Sequence, residues 1–141
     1  MPCEPARTTA DREPGTSGTV LIVEDEVLIR FALADFLRAN NFKVYEARDG
    51  EEAIQLLSFY RADIDVVFTD VRLPGGIDGF SLAQWVRRYK PAAAVMIGSG
   101  FAVDLAAATI DDVTFFTKPY DLKAVRLALE AVSHQHRDRA E

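Results

Sequence analysis

Five polar residues in this chain each follow a short apolar run, and their side chains could act together: Glu24, Asp25, Asp70, Ser99 and Lys118. Three carboxylates that come close together repel one another, so the group needs either a proton or a cation. A ligand set made only of oxygen atoms favours a hard divalent ion such as Mg²⁺. None of the five is His or Cys, which disfavours zinc.

The other two side chains add the means to bind an anion. Lys118 contributes an ammonium group, and Ser99 contributes a hydroxyl that can donate a hydrogen bond. A metal ion and a lysine can neutralise a phosphoryl group in transit, while a carboxylate can act as its nucleophile. The residue types therefore predict a phosphoryl site, with Asp70 as a candidate nucleophile.

The chain from residue 19 onward alternates β-branched apolar runs with segments of helical periodicity. The apolar runs predict strands at residues 19–23, 42–47, 64–69, 93–97 and 113–116. This alternation is typical of βαβ units, and right-handed crossovers place helices on both faces of a parallel sheet. We expect an α/β fold with a doubly wound, five-stranded parallel sheet in the order 2-1-3-4-5, flanked by five helices. In such folds ligands bind at the carboxyl ends of the strands.

Helix starts are indicated by aspartates that precede apolar stripes. Asp49 has Glu52 three positions later, which resembles a capping box, and Asp78 and Asp121 precede two further helices. A short fourth helix is predicted within residues 101–109. Trp85 and Tyr89 fit an apolar helix face, and His134 and His136 are expected to be solvated near the chain end, so none of these four is given a functional role.

Composition excludes several classes of protein. The chain has 141 residues and a formal net charge of −6. Its pI is near 4.9, so the basic face of a nucleic-acid-binding protein is not expected. No apolar run approaches the roughly 20 residues that span a bilayer. The single cysteine, Cys3, has no partner for an intramolecular disulfide, and a cytoplasmic location is expected.

The two ends of the chain differ from its centre. Residues 1–18 hold three of the six prolines and little that could be buried, so they are predicted to form a flexible tail. The folded domain is expected over residues 19–136, and residues 137–141 are expected to form a C-terminal tail. One domain of this size has a single core with which to act.

Together these residues resemble the response-regulator receiver domains of two-component signalling, of which the chemotaxis regulator is the simplest relative. The resemblance covers residues 19–136 and depends on the order and strand-end placement of the motifs. These are Glu24-Asp25, Asp70 with Leu73-Pro74 and Asp78-Gly79, Ser99-Gly100, and Lys118-Pro119. It implies a stand-alone module that is not an enzyme in the usual sense, since it catalyses only its own Mg²⁺-dependent phosphorylation and dephosphorylation.

The resemblance also implies a role for each residue. Asp70 would be the phosphoacceptor, Asp25 would bind Mg²⁺ directly, Glu24 would hold it largely through water, and the backbone carbonyl of Arg72 would be a further ligand. Lys118 would pair with the carboxylate or phosphoryl group. Ser99 and Phe115 would form the switch, and Gly100 and a cis Pro119 would be structural.

The implied partners are a histidine kinase or phosphotransfer protein and an unknown downstream protein, with no direct contact to nucleic acid or membrane. A monomer or weak homodimer is expected. Two other functions stay open. One is a phosphorylation-independent scaffold, and the other is a Mg²⁺-dependent phosphohydrolase of the haloacid-dehalogenase type. Such hydrolases have a second acid two residues after the nucleophile, where this chain has Arg72.

Three features depart from the family pattern. The loop from Pro74 to Gly79 has one residue more than its commonest form, so altered local geometry with a retained metal site is expected. The segment from Ser99 to Lys118 is a few residues shorter than usual, which predicts an unusual output surface. Phe101 and the Arg72 side chain are expected to flank the route of water to Asp70, which would prolong the life of a phosphoryl group there.

Overall fold

The computed structural model describes residues 16–59, 63–101 and 113–140, with side chains as far as residue 133. Five strands form one sheet: β1 (Gly18–Val23), β2 (Phe42–Ala47), β3 (Val66–Asp70), β4 (Ala94–Ser99) and β5 (Val113–Thr117). Four helices lie within the described residues: α1 (Val27–Ala39), α2 (Gly50–Phe59), α3 (Gly79–Tyr89) and α4 (Leu122–Ala140).

All neighbouring strands are parallel, and their order is β2-β1-β3-β4-β5. The predicted α/β fold and strand order are therefore confirmed. The helix predicted within residues 101–109 lies outside the described residues apart from Phe101, so the described part of the chain holds four of the five predicted helices.

The central strands are buried on both sides, which explains why their sequences are apolar at successive positions. Every residue of β1 and β3 is buried. One face carries a cluster that includes Leu21, Val67 and Ile97, while the opposite face carries one that includes Ile22 and Phe68. This alternation follows from the two-residue period of a strand. Helices cover both clusters, so the sheet is held rigidly beneath the polar residues at its edge.

Capping residues begin three of the helices where the sequence predicted. Asp49 Oδ1 accepts from the backbone N–H of Glu52 at 2.8 Å, and Glu52 Oε1 accepts in turn from the N–H of Arg48 at 2.9 Å. Asp78 Oδ1 accepts from the N–H of Ser81 at 2.8 Å, while Asp121 Oδ1 accepts from the first turn of α4. These bonds satisfy N–H groups that a helix start would otherwise leave unpaired.

The ends of the described fold differ from the predicted tails. Gly18 belongs to β1, and the N–H of Ser17 donates to the carbonyl of Asn41 at 2.8 Å, so the ordered chain includes residues assigned to the tail. At the other end α4 continues to Ala140, through residues 137–140 that were assigned to the C-terminal tail. No glycine or proline interrupts the sequence after Leu122, so no helix-breaking residue ends α4 sooner.

Candidate functional site

The five polar residues named from the sequence lie at the carboxyl edge of the sheet. Glu24 and Asp25 follow β1, Asp70 is the last residue of β3, Ser99 is the last residue of β4, and Lys118 follows β5. Parallel register brings these strand ends to one edge, since Asp70 pairs with Gly98 in the neighbouring strand. This is the position at which open α/β sheets bind ligands.

Three carboxylates form one cluster at this edge. Glu24, Asp25 and Asp70 each offer a carboxylate oxygen, and these oxygens all lie within 4.8 Å of one another. Glu24 is 3% exposed and Asp70 is 7% exposed, whereas Asp25 is exposed to solvent. Two buried acids beside a third, accessible one produce a concentration of negative charge that a cation would neutralise.

The Lys118 ammonium lies between the two buried acids. Its Nζ is 2.7 Å from Glu24 Oε1 and 3.0 Å from Asp70 Oδ2. The contact with Asp70 is also a hydrogen bond. The contact with Glu24 is an ion pair that lacks hydrogen-bond geometry, so within the described residues Glu24 Oε1 accepts no hydrogen bond. That buried oxygen is thus available to a cation or to an ordered water molecule.

Burial changes the protonation of this group of charges. Desolvation raises the pKa of Glu24 to about 7, and the nearby Asp70 carboxylate adds to the rise, while Lys118 opposes it. The pKa of Lys118 is raised because its two acid partners together outweigh the effect of its own burial. Lys118 therefore stays charged near neutral pH, and Glu24 exchanges a proton there.

Backbone contacts fix the loop that holds the acid pair. The Glu24 N–H donates to the carbonyl of Ala47 at 3.0 Å, and Glu24 Oε2 accepts from the N–H of Glu26 at 3.2 Å. Arg30 Nη1 donates to the Glu24 carbonyl at 2.7 Å, and Arg30 Nε pairs with Glu46 on β2 at 3.3 Å. Sequence reasoning missed Arg30, because a charged residue on α1 is expected to be solvated.

The loop after Asp70 returns to the end of β3. The N–H of Gly79 donates to the carbonyl of Val71 at 2.8 Å, and a Cβ on Gly79 would lie 2.8 Å from the Val71 Cα. Only glycine permits this close approach of backbone to backbone. Gly75 has a φ of +87°, and Ile77 packs against Gly50 at the start of α2. These contacts hold the loop between β3 and α3 against its neighbours.

Ser99 is buried at the end of β4, and its hydroxyl is tied to the residue that follows Gly100. Ser99 Oγ accepts from the N–H of Phe101 at 3.0 Å, and the Ser99 carbonyl accepts from the N–H of Lys118 at 2.9 Å. Phe115 pairs in register with Ile97, two residues before Ser99, so Phe115 and Ser99 share a face of the sheet. Phe115 is half-buried against the core of that face.

Two exposed side chains meet above the site. The Arg72 guanidinium lies 3.9 Å from the centroid of the Phe101 ring, which is the distance of a cation–π contact. Arg72 follows Asp70 by two residues, and Phe101 follows Ser99 by two. The pairing of these side chains could not be read from the sequence, which placed each of them beside the acceptor without joining them.

The peptide bond between Lys118 and Pro119 is cis, as the resemblance implied. A Cβ on Gly100 would lie 3.9 Å from the Lys118 Cβ, which is an ordinary contact distance. The predicted shortening between Ser99 and Lys118 falls on residues 102–112, which lie outside the described residues. The structure describes side chains as far as residue 133, so those of His134 and His136 lie outside the described part of the chain.

Residues 20–130 match the response regulator receiver domain family. This range includes most of the chain, and this chain belongs to that family. Receiver domains are signalling modules of two-component systems. Within the described residues, no helix has the length and apolar character needed to cross a membrane.

Two curated relatives illustrate the range of proteins that contain similar domains. The sensor kinase CckA of Brucella abortus is 33% identical over 110 residues, which make up 76% of this chain and 12% of that protein. The transcriptional regulatory protein PdtaR of Mycobacterium tuberculosis is 30% identical over 133 residues, or 92% of this chain and 63% of that protein. The chain thus spans less than two thirds of the length of either relative.

Solved structures show the same fold. The receiver domain from the hybrid histidine kinase CckA has 37% sequence identity and a TM-score of 0.71, covering 82% of this chain and 99% of that one. A response regulator receiver protein from Sinorhizobium medicae has 26% identity and a TM-score of 0.76, covering 84% and 96% of the two chains.

Proposed function

We propose that Asp70 accepts a phosphoryl group from a phosphohistidine of a histidine kinase or phosphotransfer protein, and that residues 19–136 act as the switch that this group controls. One observation carries the proposal. The Lys118 ammonium lies 3.0 Å from the Asp70 carboxylate, at the same strand edge as the acids Glu24 and Asp25. Membership in the receiver family supports this assignment.

The transfer requires little chemistry from the protein. A carboxylate oxygen of Asp70 attacks phosphorus, an O–P bond forms, and the P–N bond of the donor breaks, so that the imidazole leaves with the electron pair. Lys118 balances negative charge on the phosphoryl oxygens as they arrive. Because Asp70 is 7% exposed, the donor histidine must approach along the open, solvent-facing side of this edge.

Glu24, Asp25 and Asp70 fit a magnesium ion. Their oxygens lie within 4.8 Å of one another, and Glu24 Oε1 accepts no hydrogen bond from a described residue. We assign these three side chains as the residues that would hold Mg²⁺, with the backbone carbonyl of Arg72 as a further ligand. When bound, Mg²⁺ would neutralise charge that develops on the transferring phosphoryl oxygens. Arg30 keeps the Glu24 backbone in place for this role.

The switch follows from the bonds that Ser99 makes. Its hydroxyl donates to the carbonyl of Phe101 over 3.4 Å, and a phosphoryl oxygen on Asp70 would offer a charged acceptor to which it would donate instead. Movement of Ser99 toward Asp70 would leave space on its own face of the sheet. Phe115 occupies that face two residues earlier in the register, so it is positioned to repack in response.

The direct test is to incubate the chain with acetyl phosphate and Mg²⁺ and to measure the mass of the intact protein. We expect the addition of one phosphoryl group, which Asp70→Asn abolishes. Asp63→Asn is the matched control, since Asp63 lies before β3, at the opposite end of the strand from Asp70. Unmodified wild-type protein would favour a phosphorylation-independent scaffold, and rapid turnover of generic phosphate esters would favour a hydrolase.

A further inference from the structure

Tyr120 lies beside the acceptor, two residues after Lys118. Its ring packs edge-on against Phe68, with ring centroids 5.2 Å apart, and Lys118 Nζ lies 6.0 Å from the Tyr120 centroid. Phe68 precedes Asp70 by two residues in β3, so the two side chains point to the same face of the sheet. The Tyr120 ring therefore occupies the face from which the Asp70 side chain projects.

Gly98 makes room for the Tyr120 hydroxyl. It pairs in register with Asp70 across parallel strands, so a side chain at position 98 would point to the same face as Asp70. A Cβ on Gly98 would overlap the Tyr120 hydroxyl and lie 2.6 Å from its Cζ. The hydroxyl thus occupies the position that a side chain on residue 98 would take. Residue 98 lies one strand spacing, about 4.8 Å, from Asp70 on the neighbouring strand.

The Tyr120 hydroxyl is a hydrogen-bond donor whose ring is held in place by its neighbours. The ring packs against Phe68 and lies 6.0 Å from Lys118 Nζ. Burial raises the pKa of Tyr120, and the Asp70 and Glu24 carboxylates raise it further. The hydroxyl therefore keeps its proton and can donate a hydrogen bond to an anion placed nearby.

We propose that Tyr120 is a phosphoryl-binding residue, whose hydroxyl donates a hydrogen bond to an oxygen of the phosphoryl group on Asp70. This inference rests on the proposed function. Lys118 supplies charge at the strand edge, and Ser99 belongs to the opposite face of its strand from Gly98. Tyr120 would bind the group from the remaining side, so the phosphoryl oxygens would meet donors from both faces of the sheet.

The test compares Tyr120→Phe with wild type in binding beryllofluoride, an analogue of a carboxylate-bound phosphoryl group, in the presence of Mg²⁺. The substitution keeps the ring contact with Phe68 and removes only the hydroxyl. We expect beryllofluoride to bind roughly ten- to 150-fold more weakly, as for the loss of one hydrogen bond to a charged group. Tyr89→Phe on α3 is the matched control and should bind it as wild type does.

A second measurement needs no variant protein. In a chain labelled with ¹³C at tyrosine Cζ, the Tyr120 signal should shift when beryllofluoride is added, because its hydroxyl becomes a hydrogen-bond donor. A Tyr120 signal that does not shift would overturn the inference, and so would beryllofluoride binding to Tyr120→Phe within twofold of wild type. If the wild-type protein were still phosphorylated, the proposed function would remain intact. Wild-type protein that took up neither beryllofluoride nor a phosphoryl group would overturn both.

Discussion

The Lys118 ammonium lies 2.7 Å from Glu24 Oε1, which is nearer than its 3.0 Å contact with the phosphoacceptor candidate. Glu24 is 3% exposed, so its negative charge is stabilised by Lys118 and by the N–H of Glu26 with little help from solvent. A buried acid with a single cationic partner that it shares with Asp70 is incompletely compensated. The metal-free site therefore carries an electrostatic cost.

The first prediction concerns stability against pH without Mg²⁺. The pKa of Glu24 rises from 4.5 to about 7 on folding, so the folded state holds this proton more tightly than the unfolded state. The contribution of Glu24 to the free energy of unfolding is fully present below about pH 4.5 and is lost as pH rises through about 7. Relative to Glu24→Gln, the free energy of unfolding of the wild type should fall by on the order of 1–3 kcal/mol between pH 5 and pH 8.

Urea unfolding of both proteins at the two pH values gives the difference directly. Glu130→Gln is a suitable control, since Glu130 pairs with Arg126 on α4, away from the acid cluster. If the free energy of unfolding of the wild type, relative to that of Glu24→Gln, stayed constant or rose between pH 5 and pH 8, the raised pKa of Glu24 would be contradicted.

The second prediction concerns the metal. Mg²⁺ that binds only the folded state should raise the melting temperature with concentration. Asp25→Asn should largely remove this rise because it deletes the exposed ligand of the cluster. Asp25 is exposed, so the same change should alter the metal-free free energy of unfolding by no more than about 0.5 kcal/mol. Thermal melts with and without Mg²⁺ measure both effects, and an equal Mg²⁺ response in the two proteins would refute the ligand assignment.

The strands of the parallel sheet could be predicted from the sequence because each central strand is apolar at successive positions. The residues of β1 and β3 could belong only to a strand covered on both faces. The site residues could be named because polar groups at the ends of such strands converge on one edge. Asp70 and Lys118 are 48 positions apart in sequence, and their contact follows from this topology.

Other parts of the site depend on side-chain packing that a pattern does not encode. The sequence pattern did not single out Tyr120, because the position of its hydroxyl depends on the space beside Gly98. The pairing of Arg72 with Phe101 depends on the path of two loops. Residues 137–141 were predicted to form a tail because their sequence is polar. The helix α4 nevertheless continues to Ala140, since these polar residues permit a helix.

The third prediction tests the cap of α3, which begins just after the loop that returns to the site. Asp78 Oδ1 accepts from the N–H of Ser81 at 2.8 Å on the exposed side of the helix. Replacing Asp78 with Ala leaves that N–H without its partner and should cost about 1 kcal/mol. Asp78→Asn keeps an accepting oxygen and should retain most of the stability, as chemical denaturation would measure. Equal losses in the two variants would show that the cap is not the cause.

The last prediction concerns how long Asp70 stays phosphorylated. The Arg72 guanidinium stacks 3.9 Å from the Phe101 ring, and we expect this pair to flank the path by which water would reach a phosphoryl group on Asp70. Phe101→Ala removes the ring and its contact with the arginine, so loss of the phosphoryl group should accelerate about three- to tenfold. Arg72→Ala should accelerate it similarly, and the double variant should fall short of the product of the two effects because each change breaks the same contact. Leu127→Ala, at an exposed position on α4, controls for the loss of surface apolar area. The dephosphorylation rates of the wild type and of these four variants are measured by intact mass after removal of the donor. An unchanged rate in Phe101→Ala would show that the pair does not limit access of water.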